Sequence, residues 1–106
     1  MITEAKIQEV VRRIVAGYDP DQIILFGSYA RGTATDDSDL DLLVVKDTEE
    51  NALERDLAVL KLLRGQRVPI DILVYTQPEL QQNQHNTHSF EYNMIHNGKL
   101  LYERTA

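Results

Sequence analysis

The spacing of apolar positions changes several times along the chain, and each change predicts an element. Ile7, Val10, Val11, Ile14 and Val15 recur at three- and four-residue intervals, one face of an amphipathic helix over about residues 4 to 16. Thr3 caps its start. Gly17 and then Asp19-Pro20 end it, because glycine accepts a left-handed turn and proline cannot continue the hydrogen-bond ladder. This helix is expected to serve core packing and nothing more. Gln22 to Phe26 is short, partly β-branched and bounded by turn residues, which predicts a strand buried on both faces. Leu40 to Val45 predicts a second strand, with Leu40, Leu42 and Val44 on one face and Asp39 and Asp41 sharing the other. Leu53, Leu57, Leu60 and Leu63 lie on one stripe of a crossover helix from Asn51 to Arg64, closed by Gly65. Val68 to Tyr75 predicts a third strand, with Ile70, Ile72 and Val74 on one side and Asp71, Leu73 and Tyr75 on the other. Thr76-x-x-Glu79 is a capping box opening a short helix through Gln84, and Phe90, Met94 and Ile95 suggest a further helical segment. Asn97-Gly98 marks a turn, and Leu100 to Tyr102 a terminal edge strand.

Composition narrows the class. With 106 residues, 42% of them hydrophobic, the chain has room for one domain with a modest core and none for a second. No apolar stretch approaches the roughly 20 residues of a membrane span, and MITEAKIQEVVRR lacks the charged start and apolar core of a secretion signal, so the expected compartment is the cytoplasm. The absence of cysteine excludes disulfides, thiolate zinc sites and cysteine nucleophiles. A formal net charge of -6 argues against strong non-specific nucleic-acid binding, which depends on Lys and Arg displacing counterions from phosphates. There is no internal repeat.

The chemistry concentrates in IILFGSYARGTATDDSDLDLLVV, from Ile23 to Val45. Gly27-Ser28 can turn the chain sharply at the end of the first strand, and a helical turn over Tyr29-Ala30-Arg31 would leave free backbone N–H groups of the kind that attract phosphate. Taken alone, the same two residues make an ordinary turn with a hydroxyl cap. Nine aspartates yield three Asp-x-Asp pairs, Asp19/Asp21, Asp37/Asp39 and Asp39/Asp41, where chance would give on the order of one. Only Asp39/Asp41 leads into a strand. Adjacent carboxylates repel unless a cation lies between them, so this pair reads either as a clamp for Mg²⁺, a hard ion that combines carboxylates with phosphate oxygens, or as exposed turn-capping residues. Asp19, Asp21, Asp36 and Asp37 read as loop residues. Asp71 stands among Ile and Leu, where an ionised carboxylate costs several kcal/mol unless paired, so it predicts an arginine salt bridge or a metal ligand. Arg31, three residues after Ser28, is placed either to bind phosphate or to pair with one of the aspartates. Tyr29 reads as a surface or substrate-side ring, Ser38 as a loop-holding residue, and His85, His88 and His96 as solvated surface.

Gly27-Ser28, ten residues, Asp39-x-Asp41 and a third aspartate at Asp71 together resemble the nucleotidyltransferase superfamily typified by DNA polymerase β. The short length, Gly27-Ser28-x-Ala30-Arg31-Gly32 and Ser38-Asp39-x-Asp41-Leu42 resemble its minimal nucleotidyltransferases, the MNT proteins, often the antitoxin half of a HEPN/MNT pair. The resemblance runs from about Val10 to Glu103. It implies a single α/β (α+β) domain over residues 1 to 106, with a mixed sheet flanked by helices, in accord with the α-β-β-α-β order above. It also implies that Gly27, Ser28 and Arg31 bind the triphosphate of ATP, and that Asp39, Asp41 and Asp71 are catalytic and hold two Mg²⁺ ions. Larger relatives carry a domain for the acceptor, which a chain this short must borrow. The implied activity is transfer of AMP to a tyrosine of a partner HEPN ribonuclease toxin, within a hetero-oligomer. The alternatives are a non-catalytic antitoxin that covers its partner, and transfer to a small molecule such as an aminoglycoside.

Overall fold

The computed structural model describes residues 1–83 and 85–105. Its elements are α1 (Glu4–Tyr18), β1 (Gln22–Phe26), α2 (Gly27–Arg31), β2 (Leu40–Val45), α3 (Ala52–Leu62), β3 (Ile70–Tyr75), α4 (Gln77–Gln81), α5 (Phe90–Asn97) and β4 (Lys99–Glu103). The strands form one mixed sheet in the order β3-β2-β1-β4, with β2 and β3 parallel and the other pairs antiparallel. A parallel pair needs a crossover, and α3 supplies it. The outcome is the helix-flanked mixed sheet that the resemblance implies, and β4 is the edge strand expected at its end.

The sheet is covered on both faces, and for that reason its central strands are continuous apolar runs. Ile23 and Leu25 of β1, Leu40, Leu42 and Val44 of β2, and Ile72 and Val74 of β3 pack with Ile7, Val10 and Ile14 of α1 and with Val59 and Leu63. On the opposite face Ile24, Leu43 and Val45 meet Leu80 of α4 and Met94 of α5. At roughly 25 cal/mol per Å² of apolar surface removed from water, these two layers are the main source of stability. Among the described residues no helix is long and apolar enough to cross a membrane.

Several expectations need correction. Helix α1 runs to Tyr18, and the left-handed residue that ends it is Asp19, at φ 52°, rather than Gly17. Gly17 lies inside the helix, where a Cβ would collide with the Leu62 side chain, so its role is close approach to α3. The expected buried stripe of α3 is largely solvent-facing: Leu53, Leu57 and Leu60 are 67%, 47% and 48% exposed. Of the expected stripe Leu63 alone is buried, and Arg55 and Val59 face inward in place of the other three. Buried Arg55 satisfies its guanidinium by donating to the Glu50 carbonyl (2.8 Å) and to Glu79 Oε1 (2.7 Å). Glu79 also completes the capping box with Thr76, whose N–H it accepts at 2.7 Å. One carboxylate thereby ties α3 to the start of α4. Helix α4 ends at Gln81, and the expected end at Gln84 lies outside the described residues.

Asp19 and Asp21 hold the loop, as expected. Both lie within ion-pair distance of Arg104, and Asp21 Oδ2 accepts from the Asp47 N–H. Ser38 Oγ accepts from the Thr35 N–H at 2.8 Å and fixes the turn before β2. Tyr29 is neither a surface nor a substrate-side ring: it packs against the α1 core layer, and its hydroxyl accepts from the Ile2 N–H at 2.9 Å.

Candidate active site

The site forms where β1, β2 and β3 end or begin at one edge of the sheet. β1 stops at Phe26 because Gly27 takes φ 72°, a left-handed conformation that other residues rarely adopt. A Cβ at Gly27 would also strike Asp41 Oδ2, so backbone and carboxylate share a space that glycine alone leaves open. The chain enters α2 here. Phe26 stands at the N-cap and no side chain caps the helix, so its first-turn N–H groups lack an intrahelical acceptor. Gly32 closes α2 in the left-handed region, its N–H donating to the Ser28 carbonyl.

The ladder then aligns the carboxylates. Phe26 pairs with Asp41 across β1 and β2, and Asp41 pairs with Asp71 across β2 and β3. Asp39 lies two residues before Asp41, just outside the strand. Burial raises the Asp41 pKa above the ordinary carboxylate value, and the charges of Asp71 and Asp39 push it further. Arg31 opposes them. Three carboxylates and one guanidinium thus share one electrostatic field, whose centre is the least exposed of the aspartates.

A cleft of about 800 Å³ opens over this edge, within the size range of small-molecule sites. Gly27, Arg31, Asp41 and Asp71 line one side of it. Ser28 and Asp39 flank the cleft without lining it, Ser28 half-buried and Asp39 exposed. Asp71 is exposed rather than sunk among its apolar neighbours, and among the described residues no cation pairs with it. The expected arginine salt bridge is therefore absent from the described residues, and the desolvation argument that singled Asp71 out does not apply at its exposed position. Arg31 likewise forms no ion pair there; it faces the cleft as a solvent-exposed cation. Among the described residues no three carboxylate or imidazole groups are gathered closely enough to hold one ion. The three histidines are exposed, as expected, and His96 stacks on Tyr92 with ring centroids 4.0 Å apart.

The opposite wall went unassigned in the sequence. It is one face of α5, Phe90, Asn93, Met94 and Asn97, together with Phe26. The signal was present in the i, i+3, i+4, i+7 spacing of two apolar and two amide residues, a face too polar for pure core.

Fold and site together define a nucleotidyl-transfer enzyme of small size. The chain belongs to the family described as Polymerase beta, Nucleotidyltransferase, which matches residues 6–106. It is 38% identical over 104 residues to a Methanocaldococcus jannaschii protein named "Putative protein adenylyltransferase", covering 96% of this chain and all of that one. In three dimensions it resembles the crystal structure of a "putative nucleotidyltransferase" from Sulfolobus solfataricus, with TM-score 0.67, 24% identity, and 94% of this chain and 79% of that one covered. A toxin-antitoxin structure with AMP-PNP matches at TM-score 0.58 and 24% identity, over 97% of this chain and 75% of that one. At these identities the two structures speak to the fold.

Proposed function

We propose that this nucleotidyltransferase is a cytoplasmic antitoxin that transfers AMP from ATP to a tyrosine of a partner HEPN ribonuclease toxin. The observation that carries the reading is the pairing of Asp41 with Asp71 across β2 and β3 beside Gly27 and Arg31 in one cleft, with Asp39 at its flank. The name of the Methanocaldococcus jannaschii relative supports protein as acceptor, and the toxin-antitoxin assembly with AMP-PNP supports a partner chain. The donor set also suits the expected metal. Hard carboxylate oxygens are what Mg²⁺ accepts, and a divalent ion would offset both the burial and the neighbouring charges that raise the Asp41 pKa.

In this reading Gly27 lets the triphosphate approach the backbone, Ser28 offers its hydroxyl and amide, and Arg31 pairs with phosphate oxygens. Asp39 and Asp41 would hold two Mg²⁺ ions, with Asp71 completing the set. Bound there, the ions would supply neutralisation of phosphate charge and a lowered pKa for the acceptor hydroxyl. Asp71, exposed at the mouth, is reachable by an acceptor that arrives on another chain, and it takes the hydroxyl proton. The acceptor oxygen bonds to the α-phosphorus as the bond from that phosphorus to the bridging oxygen breaks. Pyrophosphate leaves with that oxygen.

The rival reading is a protein that neutralises its partner by covering it, with a vestigial pocket. Incubation with α-labelled ATP, Mg²⁺ and the partner separates the two. Transfer predicts label on the partner, lost in the Asp39→Asn/Asp41→Asn double variant. Label that persists in the double variant refutes the assignment, and full protection of cells by that variant supports the rival.

A further inference from the structure

We propose that α5 forms the nucleobase wall of the cleft, the base stacking on Phe90 and presenting an amino group to Asn97. The inference rests on the nucleotide reading above and extends it to the part of the substrate that the carboxylate wall cannot recognise. A nucleoside triphosphate has one anionic end and one flat, weakly polar end. The cleft is divided in the same way. Arg31, Asp41 and Asp71 lie on one wall, while the α5 wall carries no charged side chain.

Phe90 is 54% exposed although it lines the cleft. It meets Phe26 edge to face, with centroids 5.8 Å apart and planes at 83°, an arrangement that leaves ring surface open to a further planar group. Phe26 immediately precedes Gly27, so a base against this pair is continuous with a phosphate at Gly27-Ser28.

The amides add direction. Asn93 Nδ2 donates to the Ser89 carbonyl (2.9 Å), and Asn93 Oδ1 accepts from Asn97 Nδ2 (3.0 Å). Asn97 is thereby oriented, and its Oδ1 accepts from no donor among the described residues. A fixed acceptor suits the exocyclic amino group of adenine and opposes the carbonyl that guanine carries at the same ring position.

Titration calorimetry in Mg²⁺ with ATP, GTP and inorganic tripolyphosphate tests this. Stacking on an aromatic side chain has the size to make Phe90→Ala weaken ATP about 10- to 100-fold, with tripolyphosphate unchanged and Phe90→Tyr restoring affinity. Asn97→Leu should narrow the preference for ATP over GTP by about tenfold. Unchanged ATP affinity in Phe90→Ala overturns the inference alone, and if transfer is lost at the same time the wall belongs to the acceptor. If wild type binds neither ATP nor tripolyphosphate, the nucleotide reading and this inference fall together.

Discussion

Asp41 is held at a disadvantage by its surroundings. Burial and two neighbouring carboxylates raise its pKa, so the folded protein binds that proton more tightly than the unfolded chain does. Stability therefore falls as pH rises through the folded-state value, and the deficit persists at neutral pH. Asp41→Asn removes it. In thermal melts at pH 7 the variant is expected to unfold at a higher temperature than wild type. The gain should shrink as pH falls through the raised folded-state value and be gone below the ordinary carboxylate range near 4. Mg²⁺ should narrow the gap from the other side by stabilising the wild type. A variant that melts lower at pH 7 would remove electrostatic strain from the account. A stabilising loss of a carboxylate is the pattern expected where a residue is retained for chemistry rather than for folding.

At the scale of elements, α3 and its partners carry the next expectations. Leu57 is exposed and Val59 fully buried, so Leu57→Ser should change stability by no more than about 0.5 kcal/mol. Val59→Ala should cost roughly 2 kcal/mol, through lost burial and a cavity beneath the sheet. Urea titration of the two variants distinguishes the observed helix orientation from the leucine-inward one, which reverses their order. Glu79→Ala removes the carboxylate that pairs with buried Arg55 and caps α4, with an expected loss of about 2–3 kcal/mol. The backbone hydrogen bond from Thr76 lowers the Glu79 pKa, and Arg55 adds to the effect. Its stabilisation is thus present above the unfolded-state value and lost as pH falls through the folded-state one, so wild type and Glu79→Ala should converge in acid.

These elements also show what the sequence could reveal. The strands were readable because Ile23 to Phe26 and Leu40 to Val45 are short apolar runs bounded by turn residues, buried on both faces. The capping box of Thr76 and Glu79 was readable because it is local. The orientation of α3 was not, since leucines occupy more than one face and the choice depends on Arg55 reaching Glu79, 24 residues away. In the same way Gly17 looked like a terminator, when its constraint comes from Leu62 on another helix. Gly27, Arg31, Asp41 and Asp71 could be singled out and they line one cleft, yet the exposure of Asp71 depends on how far β3 projects beside β2. Phe90, Asn93 and Asn97 were missed because half of a wall made of amides carries no chemistry by itself.

For the whole molecule, the sheet brings residues separated by more than forty positions to one edge, and the acidic balance of the chain suits cations better than nucleic acid. The central claim is that Asp71, arriving on β3, completes a centre begun by Gly27-Ser28 and Asp39-x-Asp41. The single-turnover rate of AMP transfer to the partner, at saturating Mg²⁺ and ATP, measured for wild type and Asp71→Asn, tests it most directly. Loss of a metal ligand that also receives the acceptor proton should slow the variant at least about 10³-fold, near 4 kcal/mol of barrier, while ATP affinity holds within a few-fold. A variant that transfers AMP at the wild-type rate would contradict the claim.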